Sequence, residues 1–137
     1  MNPDEAASDR GTETILLVED ETALRALARQ ILQRKGYKVL EAESGLKALA
    51  VWEQHSDEID LLLTDVIMPD GVNGLELAHR LREQRPHLKV IYTSGYSLEL
   101  ENLENELREG WNFLQKPYHP RKLTSTIRQR LDEKVSS

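Results

Sequence analysis

The sequence of 137 residues contains no cysteine, which excludes disulfide bonds and thiolate chemistry. It also lacks an excess of basic side chains: 24 acidic residues outnumber 18 basic ones, and the net charge of −6 argues against a nonspecific nucleic-acid-binding surface. No apolar run approaches the roughly 18 residues that a membrane span requires. The polar residues 1–11 lack the apolar core of a secretory signal, so we expect a cytoplasmic domain without membrane contact.

Several common catalytic motifs are missing as well. There is no glycine-rich phosphate loop, which argues against a nucleotide-driven kinase or GTPase, and no Gly-x-Ser-x-Gly elbow. The four histidines lack metal-binding spacing, and we interpret them as surface or capping residues. Because the length suits one domain and no repeat is present, we predict a single domain at residues 13–137. Residues 1–12 are predicted to be a flexible lead-in or linker.

The chain does contain a regular alternation of strand and helix patterns. Short apolar runs predict buried parallel strands at residues 15–18, 38–41, 59–64, 89–93 and 112–115. Helical patterns follow at residues 21–35, 44–55, 75–84, 97–109 and from 120 onward, with Leu27 and Leu46 on their inward faces. Five such units predict an α/β fold, a flavodoxin-like doubly wound (βα)5 three-layer sandwich with the parallel strand order 2-1-3-4-5.

Chemically useful side chains stand where four of these strands end. Ligands of open parallel sheets bind at the carboxyl ends of the strands, so we expect these side chains to meet. Three carboxylates, a hydroxyl and an ammonium group together suggest a divalent cation beside a phosphoryl group. The five residues are Glu19, Asp20, Asp65, Thr93 and Lys116.

The carboxylates carry most of this hypothesis. Adjacent Glu19 and Asp20 repel each other unless a cation neutralises them, and Mg²⁺ prefers such hard oxygen ligands. Asp65 follows a buried strand, where an unpaired charge is unfavourable. Beside Mg²⁺ and Lys116 its carboxylate becomes tolerable and can act as a nucleophile toward phosphorus.

Each residue also has an ordinary structural interpretation. Glu19 or Asp20 can cap the following helix, and Asp65 can begin a turn bonded to its own loop. Thr93 is a common strand residue, and Lys116 can be a solvated surface lysine. Only the complete set favours the metal and phosphoryl interpretation over these alternatives.

The ordered set of acidic pair, Asp, Thr and Lys-Pro resembles the receiver domain of two-component response regulators, over about residues 14–135. The resemblance implies that Asp65 accepts a phosphoryl group whose oxygens Thr93 and Lys116 bind. It implies a Mg²⁺ site formed by the acidic pair, Asp65 and the backbone carbonyl of Ile67.

The same resemblance implies a usually cis Lys116–Pro117 bond and a switch formed by Thr93 and Phe113. Residues 93–96 and 113–118, and the lead-in at 11–14, are similar to receivers attached to hybrid sensor histidine kinases.

The implied function is a phosphoacceptor in a phosphorelay. A histidine kinase or histidine phosphotransfer protein supplies the phosphoryl group, and the output surface then switches. Such a domain promotes its own phosphorylation and dephosphorylation without being a conventional enzyme.

Two positions beside the predicted site bear on the lifetime of the phosphoryl group. Ile67 and Gly95 stand where other receivers often carry polar side chains that orient or exclude the attacking water. The sequence identifies neither the cognate kinase, the output partner nor the oligomeric state, and fits both a stand-alone receiver and a domain of a hybrid kinase. One alternative is a constitutive receiver-like interaction module. Another, an aspartyl-phosphate hydrolase, generally needs a second Asp at the position of Ile67 and is disfavoured.

Overall fold

The computed structural model describes residues 10–68, 71–95 and 107–133, which form five strands and four helices. The strands are β1 (Thr14–Val18), β2 (Lys38–Ala42), β3 (Ile59–Asp65), β4 (Lys89–Ser94) and β5 (Phe113–Gln115). The helices are α1 (Thr22–Arg34), α2 (Gly45–His55), α3 (Gly74–Gln84) and α4 (Pro120–Asp132). Most of the predicted lead-in at 1–12 and of the predicted helix at 97–109 lies outside the described residues. Residues 107–109 are not helical, and Glu109 instead forms an isolated bridge with Phe113.

The five strands form one parallel sheet in the order β2-β1-β3-β4-β5, which confirms the predicted topology. The register pairs Val18 with Thr64, Asp65 with Thr93, and Ser94 with Gln115. All the strands run in the same direction, so their carboxyl ends form one edge of the sheet.

Hydrophobic side chains fill the space on both faces of the sheet, as expected for three layers. Successive residues of a strand point to opposite faces, so Leu16 belongs to the cluster under α2 and α3 whereas Leu17 belongs to the cluster under α1 and α4. Every residue of β1 is buried, which explains its nearly continuous apolar run.

Two predicted helix faces are wrong in detail. Leu27 and Leu46 were expected to face the core, yet they are 53% and 54% exposed. In α2 the buried side is formed by Gly45, Ala48 and Trp52 instead. The small residues allow the helix a close approach: a Cβ atom at Gly45 would lie 2.6 Å from the carbonyl oxygen of Val72. Among the helices that the structure describes, none is long and apolar enough to cross a membrane.

Candidate functional site

The structure brings the five predicted side chains together at the carboxyl edge of the sheet. Lys116 Nζ lies 2.6 Å from Asp65 Oδ1 and 2.5 Å from Glu19 Oε1. The hydroxyl of Thr93 donates a hydrogen bond to Asp65 Oδ1 at 2.9 Å. Asp20 completes the group, since one carboxylate oxygen from each of the three acidic residues lies within 4.8 Å of the others. The convergence follows directly from the parallel register.

The site is buried on one side and open on the other. Glu19, Asp65 and Thr93 are buried, whereas Asp20 is exposed. Beside them is a cleft of about 460 Å³, whose walls include Asp20, Asp65, Ile67, Gly95 and Lys116. A small anion or a hydrated cation can therefore reach Asp65 from solvent.

The largest pKa shift in the site belongs to the buried Asp65 carboxyl, which faces Glu19 and Lys116. Burial, and then the neighbouring Glu19 carboxyl, raise the pKa of Asp65 to about 7, although Lys116 opposes them. Burial also acts to raise the pKa of Glu19, but hydrogen bonds with Asp65, Lys116 and the Glu21 amide outweigh it and hold that pKa below its usual value. For Lys116, burial lowers the pKa, yet its two carboxylate partners outweigh burial and keep the ammonium charged.

The raised pKa of Asp65 follows because a single lysine faces two buried carboxyls and does not supply enough positive charge for both. Three carboxylates with too little cationic compensation are the type of donor set that suits a hard divalent cation. The residues present thus fit the magnesium ion that the sequence predicts.

The loop after β1 does not support the helix-capping alternative. The N-cap residue of α1 is Glu21, and its side chain makes no capping hydrogen bond. Glu19 Oε2 does accept a hydrogen bond from the Glu21 amide at 3.1 Å, but its other carboxylate oxygen binds Lys116. Arg25 was not among the predicted site residues, yet its Nη1 donates to the Glu19 carbonyl oxygen at 2.8 Å.

The loop after β3 is held in place by backbone contacts. The Val66 amide donates to the Thr93 carbonyl at 2.9 Å, and the Gly74 amide donates to the Val66 carbonyl at 2.7 Å. A Cβ atom at Gly74 would lie only 2.0 Å from the Asp65 carbonyl oxygen. No role was predicted for Gly74 from the sequence. Its position directly after the N-cap Asn73, where a glycine is not otherwise required, was the available signal.

The side-chain contacts of Asp65 and Lys116 contradict their ordinary interpretations. The Asp65 carboxylate binds Thr93 and Lys116, not its own loop, and the Lys116 side chain is only 16% exposed. The Lys116 amide donates to the Ser94 carbonyl at 2.8 Å, and the Lys116–Pro117 bond is cis. Thr93 is both a residue of β4 and a partner of Asp65. Phe113 is buried in the cluster under α2 and α3.

The chain is similar in sequence to known receiver proteins. The family model described as "Response regulator receiver domain" matches residues 15–128. Sensor kinase CckA of Brucella abortus is 39% identical over 132 residues, which are 94% of this chain but 14% of that protein. Response regulator receiver protein CpdR of the same organism is 34% identical over 118 residues, which are 85% of this chain and 95% of that protein.

Solved structures agree with the sequence comparisons. The receiver domain from the hybrid histidine kinase CckA is 38% identical, with a TM-score of 0.72 over 87% of this chain and 99% of that one. A response regulator receiver domain protein from Clostridium thermocellum is 26% identical, with a TM-score of 0.77 over 88% of this chain and 94% of that one.

Proposed function

The chain belongs to the response regulator receiver family, and we propose that it accepts a phosphoryl group on Asp65 in a two-component phosphorelay. The donor is a phosphohistidine of a histidine kinase or of a histidine phosphotransfer protein. The observation that carries this proposal is the ammonium group of Lys116, 2.6 Å from the Asp65 carboxylate at the wall of an open cleft. A buried carboxylate with an adjacent cation and an accessible face is suited to attack phosphorus.

In the proposed transfer, a carboxylate oxygen of Asp65 forms a bond to phosphorus while the N–P bond of the phosphohistidine breaks. The bonding electron pair goes to the departing imidazole, and the product on this chain is an acyl phosphate. Lys116 neutralises charge that spreads over the phosphoryl oxygens, and Thr93 offers them a hydroxyl donor. Catalysis of this kind is mainly positioning and electrostatic stabilisation.

We expect Glu19, Asp20, Asp65 and the Ile67 carbonyl to hold Mg²⁺, which when bound neutralises charge between carboxylate and phosphoryl oxygens. The support is the set of three carboxylates within 4.8 Å of one another and the raised pKa of Asp65. Because a carboxyl must be ionised to act as a metal ligand, we expect Mg²⁺ binding to lower the pKa of Asp65.

Phosphorylation adds negative charge at a crowded strand end, and we propose that it switches the domain. The Thr93 hydroxyl, now bonded to Asp65, would rebond to a phosphoryl oxygen, and Phe113 would repack in the space that Thr93 leaves. This is a shift between two existing states. The output surface would include β5 and α4; the predicted helix after residue 96 lies outside the described residues.

The cellular setting is also a proposal. Phosphohistidine donors are charged from ATP, so we place the domain in the cytoplasm, where ATP is available. We also propose the predicted limits, a lead-in at residues 1–12 and a receiver domain at 13–137; the family match to residues 15–128 lies within the second range.

Intact-protein mass spectrometry tests the proposal. With Mg²⁺ and acetyl phosphate, wild-type protein should gain one phosphoryl mass, and a chelator should prevent the gain. Asp65→Asn should show no gain. Asp60→Asn is the matched control, since Asp60 lies on the same strand but at its other end, where it accepts from the Thr14 amide at 2.9 Å. A gain that persists in Asp65→Asn would exclude Asp65 as the acceptor, and no gain in wild type would favour the constitutive module.

A further inference from the structure

Arg25 links the first turn of α1 to the main chain of the acidic pair. Its Nη1 donates to the Glu19 carbonyl oxygen at 2.8 Å, and its Nε lies 3.4 Å from Glu41 Oε1. The side chain is only 16% exposed. A charged donor in this position makes a stronger hydrogen bond than a neutral one would.

The bonded carbonyl is one that the sheet leaves without a strand partner. Pairing between β1 and β2 ends at Val18 and Ala42, and the Glu19 amide extends it by donating to the Ala42 carbonyl at 3.1 Å. The Glu19 carbonyl lies beyond the paired residues, and Arg25 supplies its donor. This bond fixes the peptide between Glu19 and Asp20, and therefore the direction in which each carboxylate leaves the main chain.

Glu41 of β2 holds the guanidinium in place. One of its oxygens faces Arg25, and the other accepts from Arg29 Nη1 at 3.3 Å. Arg29 therefore shares the helix and the carboxylate partner of Arg25, while Arg25 alone of the two bonds the Glu19 carbonyl. Substituting Arg29 therefore shows the effect of losing a Glu41 partner on α1, and substituting Arg25 shows in addition the effect of losing the bond to the Glu19 carbonyl.

We propose that Arg25 is a positioning residue for the metal site. By holding the Glu19 carbonyl it fixes Glu19 and Asp20 relative to Asp65 and thereby sets the affinity for Mg²⁺. Asp20 depends most on this bond because its exposed side chain is positioned through the main chain. The inference rests on the proposed function, since it concerns the same acidic site.

Calorimetric titration of the whole chain with MgCl2 tests the inference. Arg25→Met should raise the dissociation constant for Mg²⁺ about tenfold, the lower end of the effect of residues that orient metal ligands. In acetyl phosphate kinetics the KM for Mg²⁺ should rise by a similar factor, whereas the maximal rate at saturating Mg²⁺ should stay within about twofold. Arg29→Met should leave both quantities within about twofold. Circular dichroism verifies that each variant folds. If Arg25→Met does not fold, Arg25→Lys takes its place, with an expected dissociation constant for Mg²⁺ between those of wild type and Arg25→Met.

The result that would overturn the inference is wild-type affinity in folded Arg25→Met, or an equal loss in Arg29→Met. Amide NMR signals of Asp20 and Glu21 without metal give a separate measurement. Arg25→Met should shift them strongly and Arg29→Met only slightly; equal shifts would contradict the positioning role. If wild-type protein binds no Mg²⁺, the proposed metal site fails, and the amide signals still decide whether Arg25 positions the acidic pair.

Discussion

Replacing Gly74 by alanine tests how closely α3 approaches the strand that carries the proposed phosphoacceptor. The added Cβ would lie 2.0 Å from the Asp65 carbonyl oxygen, 2.9 Å from its carbonyl carbon and 3.1 Å from Val66 Cα. Ordinary nonbonded contacts between carbon atoms are about 3.5 Å or longer. All three contacted atoms belong to the backbone, so no side-chain rotation can relieve the overlap. Either the end of β3 or the start of α3 must move by roughly 1 Å.

The expected loss of stability is about 3 kcal/mol. Overpacking that displaces backbone costs about 1–3 kcal/mol, and the Gly74–Val66 hydrogen bond of 2.7 Å is weakened as well, worth about 1 kcal/mol. Alanine is the better helix former, but that gain is at most about 1 kcal/mol. Because the displaced carbonyl belongs to Asp65, the folded variant should also be phosphorylated more slowly than wild type.

Urea unfolding, monitored by circular dichroism, measures the loss of stability in Gly74→Ala. Alanine substitutions at two other glycines are the controls. Gly95→Ala should change stability by less than about 0.5 kcal/mol, since no described atom lies within 4 Å of its added Cβ. Gly71→Ala should lose about 1 kcal/mol, because Gly71 has a φ of 85° but open space around it. If Gly74→Ala proves as stable as Gly95→Ala, α3 does not approach the Asp65 carbonyl as closely as the structure shows.

Three further outcomes are expected. In thermal unfolding without metal, Asp65→Asn should be more stable than wild type by about 2 kcal/mol above pH 7, because burial and then the Glu19 carboxyl raise the pKa of Asp65 to about 7 and make its ionised form unfavourable. Wild-type stability should fall relative to the variant as pH rises from about 4 to 7, and a less stable variant at pH 8 would contradict this. Glu13→Gln should lose about 1 kcal/mol near neutral pH, because Glu13 accepts two hydrogen bonds from Arg128. Those bonds hold the Glu13 pKa below 4.5, so the loss should vanish as pH falls through that lowered pKa; a constant difference into strong acid would argue against the pairing. Finally, Ile67→Asn should shorten the phosphoryl lifetime several-fold, since Ile67 is 51% exposed beside the cleft and an amide can hold the attacking water; an unchanged decay of the phosphoryl mass would contradict this.

The strand order and the meeting of the site residues were predictable from local patterns. Short apolar runs identify buried strands, and parallel strands place their carboxyl ends at one edge. The ends of the strands were less predictable: Asp65 was expected directly after β3 but is the last residue of that strand. Helix orientation was less predictable, because Leu27 and Leu46 fit an apolar stripe yet face solvent.

Contacts that involve main-chain atoms were not predictable. Arg25 binds a backbone carbonyl, and any residue at position 19 would offer the same acceptor. The contact between Gly74 and the Asp65 carbonyl depends on the path of the loop that joins them. The side chains of Glu13 and Arg128 are 115 positions apart in sequence, and they meet only because α4 packs on the same face of the sheet as α1.

One pocket is proposed to hold both the metal and the phosphoryl group. A crystal structure of the protein with Mg²⁺ and beryllofluoride, a mimic of the phosphoryl group, would show whether it does. We expect beryllium bonded to an Asp65 oxygen, Mg²⁺ on the acidic pair and Asp65, and Lys116 with Thr93 at the fluorides. Beryllofluoride on another carboxylate, or Mg²⁺ bound away from Asp65, would contradict the account.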